Sequence, residues 1–364
     1  MNWLFIILIL LDTGDLTLKI IKNNSRSIET PAEFTDCNTC PKSDIYLILA
    51  DEYAGQTELQ HIFNFDNTLF FTELKKRGFH VVSNSLANYN FTQYSVASLF
   101  NMSYLTELSG NPYSQYELAK TLAMLKKNRI LHYLLSQGYS FYNYSMFDFT
   151  GHPSPVSPTF IPLKNILITS QTFTNRIQRD IGFHLATRFK TKKVFSDFYY
   201  TDLDNNNKLY ELTKSIASKK SKHPKFVYTH LVMPHFHYYF DKKGKPTPLE
   251  KIMDKYYCKN KTAYIEYLQY ANEKLLALID HIKKSSEKPP IILLMSDHGY
   301  RQFNKDEHVD VKYYFMNINS VLIPGSDYSG FYDGLSNVNQ FRVLLNLQFN
   351  LHLPLLKDSI SFLH

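Results

Sequence analysis

Cysteine is scarce in this 364-residue chain, which has only Cys37, Cys40 and Cys258. Cys37-Asn-Thr-Cys40 has the spacing of a redox pair or of half a zinc site. No second pair completes a zinc site, and a thioredoxin-type motif needs a strand before it and a helix after it. Here the pair precedes a strand and ends in Pro41. It is a linker feature, able to close a local disulfide in an oxidising compartment. A long apolar run is also lacking. Trp3 to Leu11 is unbroken but short of the roughly 20 residues that span a bilayer. It has neither the basic start nor the small-residue cleavage site of a secretory signal, and Asp12 and Asp15 follow at once. The expectation is a segment that associates the chain with a membrane. Internal repeats are absent. Basic residues exceed acidic ones only modestly, 40 Lys and Arg against 33 Asp and Glu, for a net charge of +7. Lysines come in short groups such as Lys219-Lys-Ser-Lys222, with no basic stripe, so no nucleic-acid partner is expected. The charge suits an anionic substrate or an anionic membrane surface.

What is present is enough for a large core. Hydrophobic residues make up 44% and aromatics 15%, with 27 Tyr and 27 Phe. That surplus fits a Tyr-rich core or the lining of a cleft. The length allows one large α/β domain or two smaller ones.

Along the chain, 20–43 is polar, carries Pro31 and Pro41, and reads as a linker. Ile45–Ala50 is a buried-strand pattern ending in Asp51 and Glu52. Phe70–Arg77 followed by Gly78 predicts a helix with a glycine stop, and Phe79–Val82 the next strand. A helix is expected to begin near Thr92 and run over 92–105. The stretch 140–215 shows no clear periodicity. Phe226–Val232 predicts a strand running into Pro234 and His235. Tyr264–Ile282 is the clearest helix, with Ile265, Leu268, Ala271, Leu275, Leu278, Ile279 and Ile282 on one face. Ile291–Met295 predicts a buried strand that ends in Ser296, Asp297, His298 and Gly299. Strands alternating with helices indicate a mainly parallel sheet covered on both faces.

Two acidic strand ends far apart in sequence, Asp51 and Asp297-His298, are the central chemical observation. In open α/β sheets the binding residues gather at the carboxyl edge. Two carboxylates with one imidazole suit Zn²⁺ or Mn²⁺, and a hydroxyl completes such a set. Taken singly, each element has a plainer reading, since an aspartate at a strand end is commonly a helix cap and Asp-His-Gly alone forms a turn.

The strand ending in Asp51, the segment Asn88–Thr92 running into Ser95 and Ser98, Thr229–His235, the strand ending in Asp297-His298-Gly299 and Phe341–Asn346 occur in that order. Together they resemble the sulfatase-like branch of the alkaline-phosphatase superfamily, particularly its bacterial membrane-associated members. Ser-Asp-His-Gly after a buried strand is the most specific part. The resemblance implies an alkaline-phosphatase-like three-layer α/β sandwich with a mainly parallel sheet, formed by residues 43–357 after an apolar segment and linker at 1–42. It implies a divalent metal, Zn or Mn, held by Asp51, Thr92, Asp297 and His298, with a second metal site open. Thr92 matches the nucleophile position and His235 a histidine that binds or protonates the substrate. Ser95 is the fallback nucleophile, His230 supports the strand, and His237 sits where relatives tend to carry proline. Arg301 and His308, just past the Asp-His-Gly turn, are expected to contact an anionic group.

One departure narrows the chemistry. Sulfatases convert Cys or Ser in a Cys/Ser-x-Pro-x-Arg context to formylglycine, and no cysteine here has that context; Thr92 is followed by Gln93, Tyr94 and Ser95. Phosphoryl transfer through threonine, as in the lipoteichoic-acid synthase and phosphoethanolamine transferase relatives, fits better than sulfate-ester hydrolysis. The expected partner is a phosphorylated or sulfated small molecule, glycan or lipid head group, in the bacterial cell envelope or periplasm. The rivals are a hydrolase of sulfated glycans and a catalytically silent, envelope-associated binding protein.

Overall fold

The structure, a computed structural model, describes residues 10, 13–14, 31–156, 199–304, 306–325 and 327–364. The apolar run Trp3–Leu11 lies, Leu10 excepted, outside the described residues, as does the core of the aperiodic middle stretch.

A six-stranded sheet forms the centre: β1 (Ile45–Ala50), β2 (His80–Val81), β3 (Ser140–Tyr144), β4 (Lys225–Leu231), β5 (Ile291–Met295) and β6 (Asn319–Leu322), in the order β2-β6-β5-β1-β4-β3. β3, β4, β1 and β5 run parallel, while β6 is antiparallel to both β5 and β2. The sheet is therefore mainly parallel, as expected, with a reversed strand near one edge. The strand predicted over Phe79–Val82 is only the two residues of β2.

β1 lies between β4 and β5, and all six of its residues are buried. Strand pleating sends alternate side chains to opposite faces. Ile45, Leu47 and Leu49 join one apolar cluster, and Tyr46, Ile48 and Ala50 the other. The first cluster takes in α3 (Thr92–Asn101), α4 (Gln115–Lys126), α5 (Arg129–Ser136) and α8 (Asn337–Phe349). The second takes in α1 (Gln56–Phe63), α2 (Thr68–Lys76), α6 (Thr201–Ser218) and α7 (Lys261–Ser285). Two covered faces make the three-layer sandwich and explain why β1, β4 and β5 read as continuous buried runs.

α7 is longer than its predicted core and begins where the Asn260 side chain accepts the N–H of Ala263. Leu268, Ala271, Leu275, Leu278, Ile279 and Ile282 are buried as predicted. Ile265 is only partly buried, because Tyr264 and Tyr267 take the inward positions. The tyrosine surplus is largely core: Tyr46, Tyr53, Tyr94, Tyr228, Tyr238, Tyr264, Tyr267 and Tyr300 are all under 2% exposed. α2 stops before Gly78, whose φ of +90° suits glycine.

The expected linker is fastened to the domain from Pro31 onward. Phe34 packs on Tyr133 at 4.6 Å, Cys37 and Cys40 form a disulfide, and the Cys37 N–H donates to Gln137 Oε1 at 3.2 Å. The aperiodic stretch contributes β3 and α6 where it is described. At the other end, residues 358–364 lie against the loop that precedes α3. Among the described residues, no helix is long and apolar enough to cross a membrane.

Candidate metal centre

The carboxyl ends of β1 and β5, adjacent strands, open at one edge of the sheet. Asp51 directly follows β1, and Ser296, Asp297 and His298 follow β5. The turn after β5 is held from several sides. Asn317 and Asn337 donate to Ser296 O at 2.6 and 3.1 Å, Ser296 Oγ donates to His298 O at 2.8 Å, and Ser95 Oγ donates to Asp297 O at 2.6 Å. Gly299 is required by space. A Cβ there would lie 2.3 Å from Tyr313 O and 2.6 Å from both Glu58 Oε2 and Met316 O.

Asp51, Asp297 and His298 are fully buried, and one ligand atom from each lies within 4.8 Å of the others. Asp51 Oδ1 and Asp297 Oδ2 have no hydrogen-bond partner. His298 Nδ1 lies 2.8 Å from Gly299 O, so the network places the ring proton there and leaves the Nε2 lone pair facing inward. That lone pair is 3.2 Å from Asp297 Oδ2. Two bare carboxylate oxygens and an imidazole lone pair, gathered away from water, repel one another unless a cation lies among them. The donor set of two carboxylates and one imidazole fits a divalent metal such as zinc or manganese.

Asp51 is further oriented by His230, whose Nε2 donates to Oδ2 at 3.2 Å while Nδ1 accepts from the Tyr228 hydroxyl at 2.9 Å. Burial pushes the Asp51 carboxyl up, but the His235 charge and the His230 hydrogen bond hold it well below the usual carboxylate range. His230 thus does more than the strand support predicted for it, since it fixes a carboxylate of the centre.

Thr92 is 2% exposed, and its Oγ1 lies 3.3 Å from His298 Nε2. Thr92 is not the cap of the helix it begins. Phe91, with extended backbone, is the N-cap, and Thr92 is the first residue of α3, leaving its hydroxyl to face the metal ligands. α3 ends at Asn101 rather than 105 because Met102 turns left-handed at φ +51°. Ser95, the fallback nucleophile, spends its hydroxyl on Asp297 O and braces the turn instead.

The third side of the centre combines charge of both signs. Glu52 is fully buried with φ +58°, and its Oε1 accepts the Arg301 N–H at 2.9 Å and Gln302 Nε2 at 3.2 Å. Its Oε2 is 3.5 Å from His235 Nε2. The His235 N–H donates to Asp51 O at 3.2 Å. Burial lowers the His235 imidazole, but the charges of Glu52 and Asp51 outweigh it and hold the ring above its ordinary value, with Arg301 opposing. For His237, burial among aromatic rings and the nearby His235 push the imidazole down to about 4. Arg301 Nη1 donates to Asn90 O at 3.0 Å, and its guanidinium lies 4.9 Å over the Phe91 ring. Among the described residues, no hydrogen bond, ion pair or ring contact links the exposed His308 to this group.

The loop carrying Thr92 is tied down at long range. Asn90 exchanges two hydrogen bonds with the Leu363 main chain, at 3.2 and 2.9 Å. Asn88 accepts from Val338 N at 2.7 Å and donates to Ser359 O at 2.9 Å. Sequence reading missed Glu52, Asn317, Asn337 and the tying role of Asn88 and Asn90. Only Glu52 carried a signal, its place beside Asp51; Asn88 and Asn90 have partners 250 or more residues away, and Asn317 and Asn337 reach Ser296 O from 21 and 41 residues on, through the fold.

No family model and no curated protein sequence matches the chain. Among solved structures, the chain is similar to the zinc complex of the C-terminal periplasmic domain of EcEptC from Escherichia coli. The identity is 8%, covering 86% of this chain and 84% of that one, with a TM-score of 0.52. It is likewise similar to the C-terminal periplasmic domain of the phosphoethanolamine transferase EptC from Campylobacter jejuni, at 14% identity over 91% and 95% of the two chains and a TM-score of 0.51. BT1596, a 2-O GAG sulfatase, matches at 15% identity over 88% and 73%, with a TM-score of 0.50. At these identities the likeness establishes the fold: the alkaline-phosphatase-like α/β sandwich expected from the motifs is the fold of this chain.

Proposed function

We propose that this chain is a metal-dependent phosphoester hydrolase, or a transferase of a substituted phosphoryl group to a glycan or lipid acceptor, with Thr92 as nucleophile. The observation that carries the reading is the Thr92 hydroxyl, free of capping duty, 3.3 Å from the inward nitrogen of His298 beside two bare carboxylate oxygens. Asp51, Asp297, His298 and Thr92 would hold the metal. When bound, the metal would lower the pKa of the Thr92 hydroxyl and draw charge from the substrate oxygens.

The protein's own groups supply the rest. Thr92 Oγ1, its proton released to solvent, forms a bond to phosphorus as the bond from phosphorus to the ester oxygen breaks, giving a phosphothreonine that passes its group to water or to an acceptor alcohol. The N-terminus of α3, which begins at Thr92, would favour the negative charge that grows there. His235, kept above its ordinary basicity by Glu52 and Asp51, is the acid that gives a proton to the departing oxygen. Arg301, anchored to Asn90 and Phe91, presents its remaining donors to an anionic group. The Cys37–Cys40 disulfide and the periplasmic domains named among the structural neighbours support an extracytoplasmic location. Attachment to a membrane through the N-terminal run belongs to the same proposal.

Hydrolysis of bis(4-nitrophenyl) phosphate and of 4-nitrophenyl sulfate by the zinc-loaded protein tests the reading. Metal-dependent cleavage of the diester, lost on chelation, is expected. Cleavage of the sulfate alone would favour a sulfatase-like hydrolase, and bound metal with neither ester cleaved would favour a silent binding protein.

A further inference from the structure

Next to the nucleophile, an aromatic corner opens to solvent. Phe91 immediately precedes Thr92 and is half-buried, with the Arg301 guanidinium 4.9 Å over its ring. Tyr113 meets Phe91 at a centroid distance of 5.9 Å and an angle of 86°, and is 76% exposed. The loop that displays Tyr113 is firmly held. The Glu117 carboxylate accepts the N–H groups of Ser109, Gly110 and Asn111 at 2.8, 3.1 and 2.9 Å, Asn111 Oδ1 accepts the Tyr113 N–H at 3.0 Å, and the Tyr94 hydroxyl donates to Asn111 O at 3.3 Å. A large ring kept in water on a fixed backbone loses little entropy when a ligand covers it.

We propose that Phe91 and Tyr113 form a subsite for a pyranose ring that is joined to the transferred phosphoryl group or bears the accepting hydroxyl. The inference rests on the phosphoryl-transfer reading and deepens it. The geometry selects the class. Two rings at right angles cannot sandwich a flat base, but they make a corner for a puckered ring with C–H bonds on its face and hydroxyls at its edge. Arg301 beside them offers guanidinium donors to those hydroxyls or to the linked phosphate. An acyl chain needs a continuous apolar surface, and the Arg301 guanidinium over the Phe91 ring interrupts one here. An exposed aromatic that continues a site differs from a scattered surface ring, because the side chains beside it already point to an anionic partner.

The test compares two phosphomonoesters of equal charge, glucose 6-phosphate and glycerol 3-phosphate, binding to the zinc-loaded protein by calorimetry. Wild type should hold the sugar phosphate about tenfold tighter, in line with one aromatic stacking contact. Tyr113→Ala should erase that preference without changing glycerol 3-phosphate binding, and Tyr113→Phe should keep it. Equal binding of the two ligands by wild type, or a preference that survives Tyr113→Ala, overturns the subsite alone. Binding of neither ligand removes the phosphoryl reading, and the subsite with it.

Discussion

The two halves of the reactive centre are built in different ways. The metal cradle stands on strand ends: Asp51 leaves β1, and Asp297 and His298 leave β5, and all three are fully buried. The arm opposite stands on a loop and a helix start, where Thr92 is held through Asn88 and Asn90 by residues some 250 positions away. The cradle's main-chain positions follow from a parallel register that pairs Leu49 with both His230 and Met295. The arm has no such ladder and depends on scattered hydrogen bonds, those of the Asn88 and Asn90 side chains and single main-chain bonds such as Ser361 N–H to Asn88 O, each worth on the order of 1 kcal/mol. Damage to the cradle should therefore appear in metal affinity, and loss of the hydrogen bonds that brace the arm, with Thr92 itself kept, chiefly in turnover.

Substitutions can sharpen or break that contrast. Thr92→Ala should cost the most, lowering diester turnover by roughly 10⁴-fold or more while the circular dichroism spectrum is unchanged. Full activity in that variant would remove Thr92 as the nucleophile. Asp297→Asn should weaken zinc binding by more than about 100-fold, since it takes one of the two carboxylates from the set of Asp51, Thr92, Asp297 and His298; calorimetric binding near the wild-type value would mean the cradle is not the site. His230→Gln leaves Asp51 in place but loosens it, and zinc affinity should fall by about 10- to 100-fold, the usual cost of removing a ligand's hydrogen-bond partner. Asn90→Ala is the mildest. Turnover should fall by about tenfold through misplacement of Thr92 and Arg301, with zinc affinity within about twofold of wild type. If zinc affinity in that variant fell in step with turnover, the arm and the cradle would be one unit and the contrast would fail.

The contrast also explains what could be read in the sequence. β1, β4 and β5 announced themselves because strands covered on both faces are apolar throughout, and the acids stood out against them. α7 was legible from its spacing, though Tyr264 and Tyr267 displaced Ile265 from the inward face. β2 and β6 were harder to see. Two strands at the antiparallel edge, one of two residues and one of four, are too short to show a period. Thr92, Asp51, Asp297, His298 and His235 were expected at the centre, and the structure brings them together. Their bracing was not legible, because Asn317, Asn337 and Asn90 act through contacts that only the folded chain creates. His308 had adjacency to the Asp-His-Gly turn in its favour, but the chain after Arg301 carries it to the surface.

The central claim is that Thr92 takes the phosphoryl group, and intact-protein and peptide mass spectrometry of an acid-quenched reaction tests it most directly. The zinc-loaded protein mixed with bis(4-nitrophenyl) phosphate should gain one nitrophenyl phosphate, located on Thr92, and should gain none after chelation. Turnover with no adduct on the protein, or an adduct on Ser95 in place of Thr92, would contradict the account.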